Sequence, residues 1–171
     1  GEFIILLNND TIVTRGWISG LLKYLDDPAI GMVGPVTSWT GNEAKIEVGY
    51  SSPDGIEKFA EEYTSKHRNE SFDIAMLAMF CVALRKSTVD KVGLLDEQFG
   101  VGMFEDDDYS YRIKQEGLRV VCAEDVFIHH FGRVSFSKIE QEKYQKIFEE
   151  NREKYEQKWG RKWKPHIGRK N

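Results

Sequence analysis

The chain has 171 residues, 24 basic and 28 acidic side chains, a net charge of −4 and an apolar share of 40%. That is one domain's worth of chain with enough apolar content for a substantial core, and its acidic balance excludes a general nucleic-acid binder, which needs a basic face to displace counterions. Cys81 and Cys122 each lie in an apolar run without CxxC spacing and read as buried, reduced thiols of a cytoplasmic protein, while no apolar run approaches the roughly 18 residues of a membrane span.

Phe3-Ile4-Ile5-Leu6-Leu7 is a short continuous apolar run ending in Asn8-Asn9-Asp10, the pattern of a strand buried on both faces of a parallel α/β sheet. Such a strand needs neighbours on both sides, so the chain reads as starting in the middle of a fold. A helix over residues 14–25 follows, with Thr14 as N-cap and Trp17, Ile18, Leu21, Leu22 and Leu25 on one face. Asp26-Asp27-Pro28 stops it. Residues 30–36 read as a strand, and residues 37–42, which include Trp39, as an exposed turn. Residues 54–67 form a second helix, with Ile56, Phe59, Ala60 and Tyr63 sharing a face.

The uncharged run 74–84 ends as a strand, after which Ser87 caps a short helix that Gly93 terminates. Residues 104–109, Phe-Glu-Asp-Asp-Asp-Tyr, open a helix through Ile113 that Gly117 closes. Acidic residues complement the dipole of a first turn, but four adjacent carboxylates also repel and raise one another's pKa. This start is a candidate for acid–base work or cation binding. Two short strands, 118–123 and 126–130, end at His129-His130-Phe131-Gly132, where adjacent histidines point to opposite faces. A charged helix over 139–159 buries Tyr144, Ile147, Phe148 and Tyr155, and residues 158–170 are basic with Trp159 and Trp163 interleaved.

Asn8-Asn9-Asp10, the acidic row and His129-His130 are three polar endings suited to one chemistry. A carboxylate oxygen and an imidazole with open positions for phosphate oxygens suit Mn²⁺ or Mg²⁺ better than a closed zinc site, and a separate carboxylate nearby is a candidate general base. No GxxxxGK[ST], GxGxxG or G-x-S-x-G motif is present.

The blocks 7–11, 85–100, 102–109 and 129–132, in this order and spacing, resemble family-2 glycosyltransferases of the GT-A fold over roughly residues 1–137. The resemblance implies an α/β protein: a partial GT-A, Rossmann-like mixed sheet flanked by helices, with residues 138–171 as a helical, basic-ended extension. It implies that Asp10 and His130 hold Mn²⁺ or Mg²⁺, with His129 in reserve, and that Asn8 and Asn9 lie on the donor side. Asp106 is implied as the catalytic base and Glu105 as its acceptor-side partner. Asp96 and Trp39 are placed on the acceptor side. The implied partners are a nucleotide-sugar donor and a hydroxyl acceptor in polysaccharide biosynthesis, at the cytoplasmic face. The family's nucleotide-binding half would precede Phe3 and is not in this chain, so the isolated chain is expected to be inactive. The rival expectation is a non-catalytic module that binds a metal, a sugar or a partner. The basic tail is a candidate for peripheral membrane contact, with Asp107 facing solvent and Asp108 paired to Arg112.

Overall fold

The computed structural model describes residues 1–132 and 141–169. Six strands, β1 (Phe3–Leu7), β2 (Thr11–Val13), β3 (Ile30–Thr37), β4 (Ser71–Asp73), β5 (Cys81–Arg85) and β6 (Arg119–His130), form one mixed sheet. Its order is β1-β5-β3-β6-β2, with β4 also on β6. Only β3 and β6 run parallel. Period-two alternation sends successive side chains to opposite faces. Met32, Val82, Leu84, Val120 and Cys122 join one cluster, while Val33, Cys81, Ala83, Val121 and Ala123 join the other.

Helices α2 (Ile56–Lys66) and α4 (Glu105–Gln115) cover the first face through Ile56, Ala60, Tyr109 and Ile113. Helix α1 (Trp17–Leu22) and the 3-10 turn Lys23–Asp26 cover the second through Leu21 and Leu25. The short α3 (Lys86–Val92) ends at Gly93, and α5 (Gln141–Trp159) packs Tyr155 against Phe99 and Phe104 in a third cluster. The expected α/β mixed sheet flanked by helices is therefore present.

Several expectations are corrected. Strand β1 is an edge, half-buried and paired antiparallel to β5, rather than a strand buried on both faces; β3 holds that central place with all eight residues buried. Thr14 is buried and donates to the Phe127 carbonyl, so α1 starts without it, after Gly16, and Ile18 stays exposed. Ser87 lies inside α3, which has no side-chain cap. The turn after β3 is not all surface, because Asn42 is buried and donates to the Met76 carbonyl. Tyr144 is exposed rather than part of a buried stripe. Both the Ile139 helix start and the 137/138 boundary lie outside the described residues.

The two strands expected at 118–130 are one strand with a bulge. Pairing with β3 jumps from Pro35↔Ala123 to Val36↔Phe127, so Glu124, Asp125 and Val126 are extra. The bulge has a geometric reason. Only Asn8–Asp10 join β1 to β2, yet four strand spacings separate them, about 19 Å in a flat sheet. Four extended steps reach only about 14 Å. The sheet must curl, and β6 bends at the bulge until His130 stacks on Phe80 just before β5, with ring centroids 4.7 Å apart.

Candidate active site

The curl creates the first half of the site. Asp10 is carried by the β1–β2 crossing, and the register Thr11↔His130 sets it beside the end of β6. Its Oδ2 lies 3.4 Å from His130 Nε2, and both side chains are largely buried. The neighbouring histidines face opposite ways, as expected: His129 Nδ1 meets the Tyr50 hydroxyl at 2.6 Å, and burial, then the His130 charge, lower its pKa. His130 Nδ1 lies 3.0 Å from the Trp39 carbonyl. An imidazole that donates from Nδ1 leaves Nε2 to face the Asp10 carboxylate, so a nitrogen and an oxygen donor are turned toward each other.

Trp39 therefore enters through its main chain, and its ring stands edge-on to His130. A Cβ on Gly132 would fall 2.1 Å from that indole, and Gly132 has φ +58°, so only glycine fits there. Asn8 and Asn9 sit exposed at the crossing, Asn8 continuing the β1–β5 ladder by donating its N–H to the Phe80 carbonyl.

The donor set partly fits a divalent ion. A separation of 3.4 Å is near the ~3 Å edge of an octahedron with bonds of about 2.1 Å. Among the described residues no group of three or more His, Cys, Asp or Glu side chains is arranged to hold a metal.

The second half of the site is the first turn of α4. Ile113 lies against Gly31 at the start of β3, while Ser110 accepts from the Leu77 N–H, and Leu77 packs on Gly34 further along. Running back along α4 thus moves toward the carboxyl end of β3, and Glu105 and Asp106 lie one turn beyond Ser110. Strands β3 and β6 are parallel, and Thr37 pairs with Ile128. The acidic turn and the Asp10–His130 pair therefore share the carboxyl edge of the sheet, where open α/β sheets bind ligands.

Met103 and Phe104, immediately before the turn, both have left-handed backbone, φ 71° and 75°, which costs a non-glycine residue about 1–3 kcal/mol. Asn151 of α5 fixes them. Its buried side-chain amide donates to the carbonyls of Phe99, Gly102 and Met103 at 2.7–3.1 Å.

The four carboxylates of the turn diverge. Burial, followed by the charges of Glu105 and Asp107, pushes Asp106 well above the usual carboxylate range; among the described residues its one hydrogen bond is from the Asp107 N–H. Glu105 is also raised, chiefly by burial, and its Oε2 is buried without a partner. Asp107 does not face solvent: it accepts from Trp163 Nε1 and from His166 Nε2, the latter at 2.9 Å. Asp108 is fully buried and binds Arg112, as expected, together with Trp159 Nε1 and Lys158. Asp96 is tied to the same assembly through Lys158, which with the Gln98 amides holds its pKa at about 2.

The sequence reading missed the part played by the C-terminal segment. Trp159 and Trp163, in the tail named above as a candidate for membrane contact, have their indole N–H groups on this turn. His166 and Asn151 were not singled out at all. The available signal was charge complementarity between a carboxylate row and a basic, tryptophan-bearing tail. No helix among the described residues is long and apolar enough to cross a membrane.

Comparison with known proteins gives the family. Residues 1–148 match the family model described as glycosyltransferase like family 2. The chain is 30% identical over 144 residues to the O-antigen biosynthesis protein RfbC of Myxococcus xanthus, covering 76% of this chain and 11% of that protein. It is 30% identical over 123 residues to the pre-mycofactocin glycosyltransferase of Mycobacterium tuberculosis, covering 70% of this chain and 24% of the relative. An uncharacterised protein of Mycobacterium bovis, Mb1552, is 29% identical over 132 residues, covering 74% and 46%. The chain thus spans less than half the length of these relatives. With the match running through both halves of the carboxyl-edge site, the chain belongs to the family-2 glycosyltransferases.

Proposed function

We propose that this chain carries the metal and acceptor side of an inverting glycosyltransferase that uses a nucleotide-sugar donor. The observation that carries the reading is the shared sheet edge of Asp10, His130 and the acidic turn holding Asp106. Asp106 takes the proton of an acceptor hydroxyl. The oxygen attacks the anomeric carbon as its bond to the nucleoside diphosphate breaks on the opposite face. A raised pKa makes Asp106 a stronger base once ionised. Glu105, next to Asp106 and with its pKa also raised chiefly by burial, is the acceptor-side partner, and Asn8 and Asn9 lie exposed on the donor side. Asp10 and His130 would hold Mn²⁺ or Mg²⁺, whose chemistry is Lewis-acid neutralisation of the departing diphosphate. Alignment of donor and acceptor supplies much of the remaining acceleration. The relative named for O-antigen biosynthesis supports a polysaccharide product.

The test is thermal denaturation with Mn²⁺ plus UDP or GDP. Melting temperature should rise in the wild type and in His129→Ala, but not in Asp10→Ala or His130→Ala. A rise that survives both latter variants removes this pair from the site. A second reading, a module that binds without turnover, is favoured by a donor set of two residues among those described. Metal-dependent hydrolysis of a nucleotide-sugar by the chain would dispose of it.

A further inference from the structure

Beyond Trp159 the described residues form neither helix nor strand, and among them no main-chain to main-chain hydrogen bond holds residues 161–169. One residue in three turns inward: Trp163, His166 and Arg169 are partly buried, while the rest of 161–169 is exposed. Side chains therefore fix this strap, and they do so at two ends. Trp163 stands edge-on to Phe104 and Phe148. Arg169 donates to the Glu43 carbonyl and to both carboxylate oxygens of Glu124 in the β6 bulge. His166 lies between these anchors, its Nε2 2.9 Å from Asp107 Oδ1, the same oxygen that accepts from Trp163 Nε1.

The charges near His166 come from several elements. Asp106, Asp107 and Lys114 belong to α4, Glu43 to the loop after β3, and Arg161 and Lys164 to the strap; Tyr111 and Tyr155 are the neutral titratable neighbours. Lys114 is committed to the carbonyls of Ile74 and Ala75, Arg161 lies over the Tyr111 ring, and Lys164 is exposed. Burial opposes a charged His166, but Asp107, through its hydrogen bond and charge, prevails with help from Asp106 and Glu43, and the pKa is raised. On Asp106, burial and the charges of Glu105 and Asp107 favour the protonated acid; the His166 charge acts against them.

We infer that His166 is a positioning residue for the proposed base: it pins Asp107, whose N–H donates to Asp106, and supplies a counter-charge that lets Asp106 ionise beside two other carboxylates. The inference rests on the proposed transferase reading and adds control of its base by the C-terminal strap. A group whose folded pKa is raised contributes fully below its unfolded value, about 6.5 for histidine, and loses that contribution as pH rises through the folded value. The hold of the strap on the acidic turn therefore fades toward alkaline pH.

The experiment is a carboxyl-detected NMR titration of the 171-residue chain from about pH 4 to 9, on the wild type, His166→Gln and Trp163→Phe. His166→Gln keeps an N–H donor and drops the charge; Trp163→Phe removes a donor to the same oxygen and leaves the charge in place. Both should speed amide exchange at Asp107 and Asp108, by about fivefold near pH 6. In the wild type Asp106 should titrate in two steps, one of them tracking the His166 ring. Trp163→Phe should retain that step; His166→Gln should lose it and leave Asp106 with a higher pKa. A single Asp106 step in the wild type, a second step that survives His166→Gln, or its loss in Trp163→Phe would overturn the role of His166. Such a failure alongside intact Mn²⁺–nucleotide stabilisation would leave the transferase reading standing. Coupled titration without that stabilisation would keep the link between strap and turn and remove the transferase reading.

Discussion

Glu105 and Asp106 share a helical turn and a charge with Asp107 and Asp108, yet the two pairs have opposite surroundings. Among the described residues, Glu105 has an orphaned oxygen and Asp106 a single backbone donor. Asp107 and Asp108 are met by Trp163, His166, Trp159, Lys158 and Arg112. The first pair follows two left-handed residues and has raised pKa values; the second anchors α5 and the chain beyond it. Dipole complementarity treats all four alike and explains neither half. The difference shows a division of labour within one turn: Asp107 and Asp108 supply the fixed frame that offsets the strain and desolvation of Glu105 and Asp106.

Substitutions can break that division at either half. The largest effect is expected from Asp106→Asn, which should lower sugar transfer by roughly 10²–10⁴, the usual contribution of a general base, with donor binding unchanged. An unchanged transfer rate would take Asp106 out of the mechanism. Next comes Asp108→Asn, which leaves Arg112, Lys158 and Trp159 short of a charged acceptor at a fully buried position. Urea denaturation should show a loss of about 3 kcal/mol. Asn151→Ala frees the carbonyls that hold the left-handed loop and should cost about 2 kcal/mol, with faster hydrogen exchange over residues 99–104. Protection there equal to the wild type would show that the loop holds itself.

Asp107→Asn should cost about 1 kcal/mol and leave a sharper signature in His166. Burial works against the charge of that imidazole, but the Asp107 hydrogen bond and the charges of Asp107, Asp106 and Glu43 outweigh it, so its pKa is raised. In the variant, an NMR titration should find it lowered; an unmoved value would detach His166 from Asp107. The smallest effect belongs to Asp96, held at about 2 chiefly by Lys158. A depressed carboxylate contributes stability above its unfolded pKa of about 3.9, and that contribution is lost as pH falls through the folded value. Asp96→Asn should therefore match the wild type most closely near pH 2 and be the less stable above pH ~4.

Local pattern made much of the frame legible. Apolar runs marked β3, β5 and β6, and helical spacing marked α2 and α4 with Ile56, Ala60, Tyr109 and Ile113 inward. Period two also told that His129 and His130 diverge. Pattern could not place β1 at an edge, because a run of five apolar residues looks the same with one neighbour or two. It could not join 118–123 to 126–130, since the bulge answers a closure problem posed by the distant crossing at Asn8–Asp10. In the acidic row, the resemblance singled out Asp106 and helical spacing paired Asp108 with Arg112, but the tryptophan partners of Asp107 and Asp108 lie on a segment some 50 residues on. Periodicity within a helix carries no record of such partners.

The comparison within the α4 turn is tested most directly by urea denaturation of Asp106→Asn and Asp108→Asn beside the wild type at neutral pH. Asp106 has a folded pKa above its unfolded one, so its protonated form favours the fold. Its favourable contribution is full below about pH 3.9 and is lost as pH rises through the folded value. Removing the charge at neutral pH should thus stabilise Asp106→Asn, while Asp108→Asn loses its buried ion pairs and is destabilised. Opposite signs are the expected result; destabilisation of both variants would contradict the division of the turn into a site and its frame.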